Sequence, residues 1–435
     1  MTPGARIAAA IEILEKIERS SSPAEDVVSS YLRGRRYIGS KDRRNITDRI
    51  YGIQRQEARL DWLSGMSIPR MRVIVDLFLI KQISKNEIIS LFDDKGYSPK
   101  PLVMDEIELL DTIKGKSFEN AAYPPQIKAE LPNWLAEILS AYWGNNFQNE
   151  AWALNQPASL NLRVNTIKGN RKRTLQILQK DKISAIATPF SPLGLKVKDR
   201  INLRASSAFK DGFIEIQDEG SQLVAALVET KANLKTIDLC AGSGGKTLAL
   251  GAAMKDGGPL IACDVDLHRL KKLKPRLRRS GLTNISRHHL SGNNDMFYKK
   301  HTLTAERVLV DVPCSGSGAW RRTPAQKWRL NRDQLKALIA LQKRIMEQAA
   351  DLVIPGGRLI YATCSVLPDE NEKQITWFLT QFPNFRALTI PEIWKRVFDM
   401  KCPSNALIDG TYLSLTPARH DTDGFFTAVL EKTNN

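Results

Sequence analysis

The segment TIDLCAGSGGKT, at residues 236–247, decides the fold. It has the pattern of a short apolar strand, a turn of small residues and the first turn of a helix. Small residues allow a ligand to approach backbone N–H groups, and the first turn of a helix attracts negatively polarised groups. The segment therefore predicts a site for a nucleotide-like cofactor. The expected loop consists of Cys240, Ala241, Gly242, Ser243, Gly244, Gly245 and Lys246.

From about residue 215 onward, short apolar strands alternate with helical segments. The predicted strands are 236–239, 260–263, 307–310 and 358–361. Such alternation is typical of an α/β fold with a doubly wound, Rossmann-like sheet. We expect this catalytic domain to span residues 215–435.

The residues before this domain suggest two further domains. Apolar residues recur at helical spacing near the N-terminus, which predicts a helical domain over residues 1–120. Prolines interrupt the chain near residues 99–101 and 124–125, and strand signals follow at 160–164, 195–197 and 213–216. We expect a small α+β domain over residues 121–214.

The charge of the chain predicts a polyanionic partner. The 435 residues include 64 Lys and Arg against 47 Asp and Glu, a net charge of +17. This charge favours nucleic acid first and an acidic membrane surface second. Three clusters carry much of the excess, and each alone is equally compatible with a solvated helix face. They are Arg33, Arg35, Arg36, Lys41, Arg43 and Arg44; Arg171, Lys172 and Arg173; and Arg269, Lys271, Lys272, Lys274, Arg276, Arg278 and Arg279.

The five cysteines form no CxxC pair and no Cys/His set at zinc spacing, so we expect no metal site. No apolar run is long enough to cross a bilayer, and the first residues lack the apolar core of a secretory signal. We therefore expect a cytoplasmic protein with reduced thiols, no membrane association and a monomeric state. Burial as small apolar side chains is the expectation for Cys240, Cys263 and Cys402.

Three interpretations of the glycine loop compete. An ATP-binding P-loop needs glycine at position 240, which is Cys240, although VLVD at 308–311 resembles the acidic strand of an ATPase. A dinucleotide fold needs a final glycine at position 247, which is Thr247. A methyltransferase needs an acid at the end of the second strand for the ribose of S-adenosylmethionine. Asp264 satisfies this need, 26 residues beyond Asp238.

Two downstream motifs make the assignment more specific. VLVDVPCSGSGAW at 308–320 and LIYATCSVLPDENE at 359–372 each place a cysteine just after a predicted strand. Open α/β sheets carry their active sites at the carboxyl ends of strands. Cys314 and Cys364 are therefore candidate reactive thiols.

These motifs resemble those of the Sun (Fmu, RsmB-type) family of RNA 5-methylcytosine methyltransferases. The resemblance covers roughly residues 125–432 and extends to LRVN at 162–165, QDEGS at 217–221 and DGFF at 423–426. The helical N-terminal segment is similar to the NusB-like RNA-binding domain of that family, and the α+β domain to an RRM-like one. Two departures are visible: Ser243 replaces the usual proline, and SGNND at 291–295 leaves the acid after the third strand unassigned.

The resemblance implies roles for individual residues. Cys364 would attack C6 of cytosine and Cys314 would assist product release, since a thiolate at C6 makes C5 nucleophilic. Asp311 would bond the N3/N4 edge of the base, and Lys246 would assist nearby unless it is a surface lysine at a helix start. S-Adenosylmethionine would contact the glycine loop together with Asp264, Arg269, Asn293 and Asp311.

The resemblance also implies the substrate, which would be small-subunit (16S) ribosomal RNA, with transfer RNA as the main alternative. An inactive RNA-binding or assembly factor on the same scaffold is a third possibility, disfavoured because both thiols and Asp311 are intact. Trp320, Arg321 and Arg322 follow the first cysteine motif. They are compatible with two roles, stacking on nucleotides beside the target or forming a solvated turn.

Overall fold

A computed structural model describes residues 1–120, 122–198, 201–292 and 294–434. The chain divides into two compact units. The first comprises Met1–Gln156 and Trp320–Arg329, and the second comprises Pro157–Ala319 and Leu330–Asn435. The predicted domain boundaries after residues 120 and 214 remain predictions.

The first unit is helical. Helix α1 begins where Thr2 accepts a hydrogen bond from the backbone of Ala5 at 3.2 Å. Its apolar residues face a single core shared with the following helices. The helices of this unit are α1 (Pro3–Arg19), α2 (Ala24–Gly34), α3 (Ser40–Arg55), α4 (Glu57–Ser64), α5 (Pro69–Val75) continued by a π-helical turn (Asp76–Ile80), α6 (Lys85–Leu91), α7 (Met104–Ile113), α8 (Pro125–Lys128), α9 (Asn133–Trp143), α10 (Phe147–Asn155) and α17 (Gln326–Arg329).

A buried lysine fixes the segment 320–329 within this unit. The Lys327 ammonium donates to Asn155 Oδ1 at 2.8 Å. Burial lowers the pKa of Lys327 to about 8, against the opposing charges of Glu130 and Glu57. Ala325 joins the helical core. A segment that follows the Cys314 motif in sequence is thus part of the N-terminal unit.

The second unit begins with a small antiparallel sheet in the order β2-β3-β1-β4. Its strands are β1 (Leu160–Val164), β2 (Ala185–Ala187), β3 (Gly194–Val197) and β4 (Ile214–Ile216), with helices α11 (Arg171–Lys180) and α12 (Ser207–Lys210). Apolar residues of these strands and helices form a core of their own. This arrangement is the small α+β domain that the strand signals predict.

The larger sheet follows, and within the described residues it has nine strands. Strands β7-β6-β5-β8-β9 are parallel neighbours, and β13 continues the sheet antiparallel to β9. The strands are β5 (Thr236–Asp238), β6 (Leu260–Asp264), β7 (Ile285–His289), β8 (Ala305–Asp311), β9 (Val353–Thr363), β10 (Phe385–Leu388), β11 (Leu407–Ile408), β12 (Tyr412–Leu415) and β13 (Phe425–Lys432). The helices are α13 (Glu219–Leu227), α14 (Gly245–Ala253), α15 (Leu267–Ser280), α16 (Met296–Lys300), α18 (Arg332–Leu352), α19 (Glu372–Gln381), α20 (Ile390–Val397) and α21 (Pro417–His420).

Both faces of this sheet are covered. On β8, Val308 and Val310 pack in one apolar cluster with residues of α18 and α19. Leu309 packs in another cluster with residues of α13, α14 and α20. Because successive strand residues point to opposite faces, two clusters mean that helices cover both sides. The predicted doubly wound, Rossmann-like fold is confirmed.

The strand predictions at 236–239, 260–263, 307–310 and 358–361 each fall on an observed strand. Strand β7 was not predicted, since its sequence ISRHH is polar and half exposed. The antiparallel strands β10 to β13 also went unpredicted. Among the described residues, no helix combines the length and the apolar character needed to cross a membrane.

Candidate active site

The candidate residues meet at one edge of the large sheet. Strands β5, β6, β8 and β9 are mutually parallel, so their carboxyl ends lie on the same side. The glycine loop follows β5, Asp264 ends β6 and Asp311 ends β8. Strand β5 lies between β6 and β8, so the strand order reverses at β5. Open α/β sheets bind their ligands at such a reversal.

The glycine loop is a tight turn that only small residues can form. Gly244 has φ +85°, and a Cβ there would lie 2.2 Å from Leu273 Cδ1. The Gly244 N–H donates to the Ala241 carbonyl at 2.8 Å, which closes the turn. The turn closes with Ser243 at the position where the resemblance implies proline.

Asp264 and Arg269 flank the loop, as the sequence predicts for cofactor contacts. The N–H of Gly242 donates to Asp264 Oδ2 at 2.6 Å. A Cβ on Gly242 would approach the Arg269 guanidinium to 2.7 Å, so that side chain lies directly against the loop. Asn293 lies outside the described residues.

Asp238, at the end of β5, is a site residue that sequence reasoning missed. Its Oδ2 accepts from the Thr247 hydroxyl at 2.6 Å, while its buried Oδ1 has no hydrogen-bond partner among the described residues. Burial, with smaller contributions from Asp311 and Asp264, raises the pKa of Asp238 to about 7. The loop therefore starts beside an unsatisfied acceptor, which a ligand with a donor group could pair.

Two arginines from outside the loop hold its backbone. Arg163, buried on β1 of the small domain, donates to the Gly245 carbonyl at 2.8 Å and also to Gln217. Arg276, on α15, donates to the Ser243 carbonyl at 2.7 Å. Glu215 on β4 pairs with Arg276 at 2.9 Å. The small domain thus supports the loop, a role no motif in the sequence signalled.

The two candidate thiols are in contact. Cys314 follows β8, Cys364 follows β9, and their sulfurs are 3.4 Å apart. The hydrogen bond to Cys364 raises the pKa of Cys314 well above its usual range, and burial and the charge of Glu370 act in the same direction. The two sulfurs are therefore within hydrogen-bonding distance, and either could be the donor in the S–H···S contact.

Lys246 and Asp311 form an ion pair at the same edge. Lys246 Nζ lies 2.6 Å from Asp311 Oδ2, and the lysine side chain is 10% exposed. Burial acts to lower the pKa of Lys246, but Asp311, with help from Cys364 and Asp238, raises it above the usual value. The interpretation of Lys246 as a surface lysine is wrong. The pair places an ammonium and a carboxylate beside the thiols.

The other cysteines do not join this pair. Cys263 is fully buried on β6, and burial raises its pKa well above the usual range. Cys240 and Cys402 are partly buried, and burial also raises their pKa values, to about 11 for Cys402. Full burial, as the sequence predicts for all three, is therefore observed for Cys263, whereas Cys240 and Cys402 are only partly buried.

The residues after the first cysteine motif do not behave as predicted. Trp320 and Arg321 are 1% and 3% exposed, so neither stacking on nucleotides nor a solvated turn describes them. Both residues belong to the helical unit, where Arg55 donates a hydrogen bond to the Arg321 carbonyl at 2.8 Å. Charge and aromatic character alone could not reveal this burial.

The basic clusters divide into structural and exposed members. On α15, Arg276 and Arg279 pair with the buried Glu215. The remaining exposed basic residues of the three clusters are Arg33, Arg36, Lys41, Arg44, Lys172, Arg173, Arg269, Lys271, Lys272, Lys274 and Arg278. The positive surface is therefore smaller than the sequence clusters suggest, but it persists in each of them.

The loop fits S-adenosylmethionine. It offers backbone close enough for direct contact, the acid at the end of β6, and the unpaired Asp238 Oδ1 as an acceptor for an ammonium or hydroxyl group. Within the described ranges, no group of three or more His, Cys, Asp or Glu residues could hold a metal ion.

Comparison with known proteins gives the same assignment. A family model described as 16S rRNA methyltransferase RsmB/F matches residues 225–431, and one described as a RsmF/B-like ferredoxin-like domain matches 131–204. The curated Probable ribosomal RNA small subunit methyltransferase B of Synechocystis sp. is 29% identical over 97% of this chain and 98% of its own. Ribosomal RNA small subunit methyltransferase B of Shewanella oneidensis is 30% identical over 69% of this chain and 67% of its own.

A solved structure extends the similarity to the whole fold. The crystal structure of PH0851 superimposes with a TM-score of 0.79 and 28% identity, over 99% of both chains. The ATPase and dinucleotide interpretations of the glycine loop are excluded by this agreement between sequence, fold and site. The chain belongs to the RsmB/F family of methyltransferases, and S-adenosylmethionine is its cofactor.

Proposed function

We propose that this protein methylates C5 of a cytosine in 16S ribosomal RNA through a covalent adduct between Cys364 and C6. The observation that carries the proposal is the contact of the two thiols at 3.4 Å beside the Lys246–Asp311 pair. Methyl transfer to an oxygen or an exocyclic nitrogen needs no thiol, whereas transfer to C5 does, because that carbon is a poor nucleophile.

The reaction begins at C6. The Cys364 thiolate adds to C6, the C5–C6 double bond opens and its electron pair localises at C5. S-Adenosylmethionine, when bound at the glycine loop, would supply the methyl group: the C5 electron pair would form the bond to the methyl carbon, and the sulfonium sulfur would leave with the electron pair of the broken S–CH3 bond. Negative charge spreads toward N3 and O2 of the ring as the thiolate adds. A protonated group facing N3 would stabilise this charge, and the Lys246–Asp311 pair supplies such a proton within a hydrogen-bonded unit.

Release reverses the addition. The proton on C5 passes to water, the C5–C6 double bond forms again, and the C6–S bond breaks with its electron pair returning to Cys364. The Cys314 sulfur lies 3.4 Å from the Cys364 sulfur and its pKa is raised, so in this proposal the Cys314 S–H donates to the Cys364 thiolate as it leaves. In this division of labour Cys364 is the nucleophile and Cys314 assists departure.

The polyanion that the charge favours is RNA. Exposed basic residues persist in all three clusters, and net charge +17 attracts phosphate. An enzyme that modifies a base needs that base unpaired or flipped out of its helix. The curated relatives are named for the small ribosomal subunit, which favours 16S rRNA over transfer RNA.

Bisulfite sequencing of total RNA, with and without the gene, tests the reaction and the substrate together. We expect one 16S rRNA cytosine to lose protection when the gene is absent. Complementation with Cys364→Ala should not restore protection, although its affinity for S-adenosylmethionine should match wild type. Loss of protection in a transfer RNA instead would select that substrate.

A trapping experiment distinguishes the roles of the two thiols. Cys314→Ala, incubated with RNA and S-adenosylmethionine, should give a protein–RNA band on a denaturing gel that wild type lacks. Cys314→Ala/Cys364→Ala should give none. A trapped Cys364→Ala with a clean Cys314→Ala would exchange the two roles. No band in any variant, together with no methylation by wild type, would favour an inactive RNA-binding scaffold.

A further inference from the structure

A buried carboxylate lies behind the two cysteine loops. Glu370 is completely buried and accepts four hydrogen bonds. Its Oε1 accepts from the Ser315 N–H at 2.8 Å and from Gln342 Nε2 at 2.9 Å. Its Oε2 accepts from the hydroxyls of Ser315 at 2.5 Å and Ser365 at 2.6 Å. One side chain thus connects three separate segments.

The two serines are the residues that directly follow the thiols. Ser315 comes after Cys314 and Ser365 after Cys364, so Glu370 joins the two loops one residue from each sulfur. Gln342, on α18, donates through the same amide to the carbonyl of Pro313 at 3.0 Å, one residue before Cys314. Hydrogen bonds therefore fix the backbone of the residues directly before and after Cys314.

Packing alone does not explain why a carboxylate occupies the buried position of Glu370. Among the described residues, none of the four donors to Glu370 is cationic, and a buried carboxylate is costly unless hydrogen bonds replace its water. Four donors converge on it, two of them charge-assisted hydroxyl contacts, which are stronger than neutral ones. The charge of Glu370 also acts to keep the proton on Cys314. An arrangement this specific points to a function at the loops it joins.

We propose that Glu370 is a positioning residue that holds the sulfurs of Cys314 and Cys364 in contact. This inference rests on the methyl transfer proposed above. The hydrogen bonds of Glu370 to the two cysteine loops go to Ser315 and Ser365, so it acts on the thiols through these residues. Other links between the loops, such as the Gly318 N–H to the Cys364 carbonyl at 3.0 Å, maintain the backbone fold without it.

The hydrogen bonds predict a graded response to substitution. In Glu370→Gln the amide NH2 cannot replace Oε1, which faces two N–H donors, but it can replace Oε2, because serine hydroxyls can also accept. Glu370→Gln should therefore keep part of the network. Glu370→Ala removes all of it. Asp369→Asn is a matched control, since the Asp369 carboxylate pairs with the exposed Lys373 at 2.9 Å.

The test uses phenylarsine oxide, which binds tightly only where two thiols are close together, and so needs no RNA. Wild type and Asp369→Asn should bind one equivalent, and Cys314→Ala or Cys364→Ala should bind none at that affinity. Affinity should fall about threefold in Glu370→Gln and at least tenfold in Glu370→Ala. Ser315→Ala/Ser365→Ala removes the two hydroxyl contacts to Oε2 and keeps the Ser315 N–H and Gln342 contacts to Oε1, so its affinity should lie between those of wild type and Glu370→Ala. This variant serves if Glu370→Ala does not fold.

Kinetics with RNA give the second measurement. We expect kcat to fall by the same order in the Glu370 variants, with KM for RNA and for S-adenosylmethionine unchanged. Arsenical affinity equal to wild type in Glu370→Ala, or in the double serine variant, overturns the positioning role. Failure of wild type to bind the arsenical also overturns it. Graded arsenical binding without methylation by wild type would support the positioning role and refute the proposed reaction.

Discussion

Arg163 on β1 offers a sharp test of how the small domain serves the cofactor loop. We predict that Arg163→Met weakens the binding of S-adenosylmethionine. The buried guanidinium donates to the Gly245 carbonyl at 2.8 Å and to the Gln217 side chain, and Met keeps its bulk without these donors. The loop should then lose the geometry that the cofactor requires.

The magnitude follows from the groups left without a partner. A buried acceptor that loses its donor costs about 1–3 kcal/mol. The Gly245 carbonyl keeps a helical acceptor role at the start of α14, so its loss falls at the low end. Glu215 stays paired with Arg276 and Arg279, so no uncompensated charge adds to the cost. We expect the Kd to rise about fivefold to tenfold, equivalent to roughly 1–1.4 kcal/mol.

Isothermal titration with S-adenosylmethionine measures this change directly. Arg278→Met is the matched control, because Arg278 is an exposed arginine on α15. It should leave the Kd within about twofold of wild type. Arg163→Lys keeps the charge but not the planar fork, and should lie between the two. A Kd for Arg163→Met equal to the control, in a protein with unchanged circular dichroism, would refute the idea that β1 supports the loop.

Three further predictions concern charge. RNA affinity should fall more than about tenfold between 50 and 200 mM salt, as counterion release requires, and a flat binding curve would remove the electrostatic account. Asp238 has its pKa raised from 3.8 to about 7, so its contribution to stability is present below 3.8 and lost as the pH rises through 7. Asp238→Asn should therefore gain about 2–3 kcal/mol on wild type between pH 5 and pH 8 in urea unfolding, whereas a constant difference would contradict the assignment. Lys327→Met removes the donor to Asn155 and a cation near Glu130, and should destabilise the helical unit by about 2–4 kcal/mol. Thermal unfolding against the exposed Lys114→Met is the measurement, and equal transitions would show that the buried ammonium is dispensable.

The sequence was sufficient to predict that the candidate residues lie together. Asp264 and Asp311 each end a short apolar strand, while the glycine loop, Cys314 and Cys364 follow one, and parallel strands have their carboxyl ends at one edge of the sheet. Residues at the carboxyl ends of these strands are therefore close together in space, although they are far apart in the sequence. The same reasoning fails for β7 and for β10 to β13, whose pairing is set by contacts distant in sequence.

Burial was the property that the sequence could not supply. The string WRR at 320–322 has the composition of a nucleic-acid contact, yet Trp320 and Arg321 are buried. Composition does not distinguish Lys327 from the other lysines of the chain. Only the fold shows that its side chain donates a hydrogen bond to Asn155. Whether a basic residue is an RNA contact or is buried depends on which part of the surface the rest of the chain covers. No local sequence pattern distinguishes these two cases.

The residues that hold the site are harder to find than those that react, for a physical reason. A reacting group must be exposed to the ligand, so it lies on a loop whose sequence departs from regular patterns. Arg163, Gln342 and Glu370 lie on β1, α18 and the turn before α19. Arg163 and Glu370 fall within quoted motifs, but nothing in those motifs indicates which groups the two side chains bond. Each of the three bonds a backbone group or a serine of a loop that carries the chemistry. A buried polar side chain whose partners lie on active-site loops is therefore evidence of positioning, and the arsenical and titration experiments test that reasoning on two independent loops.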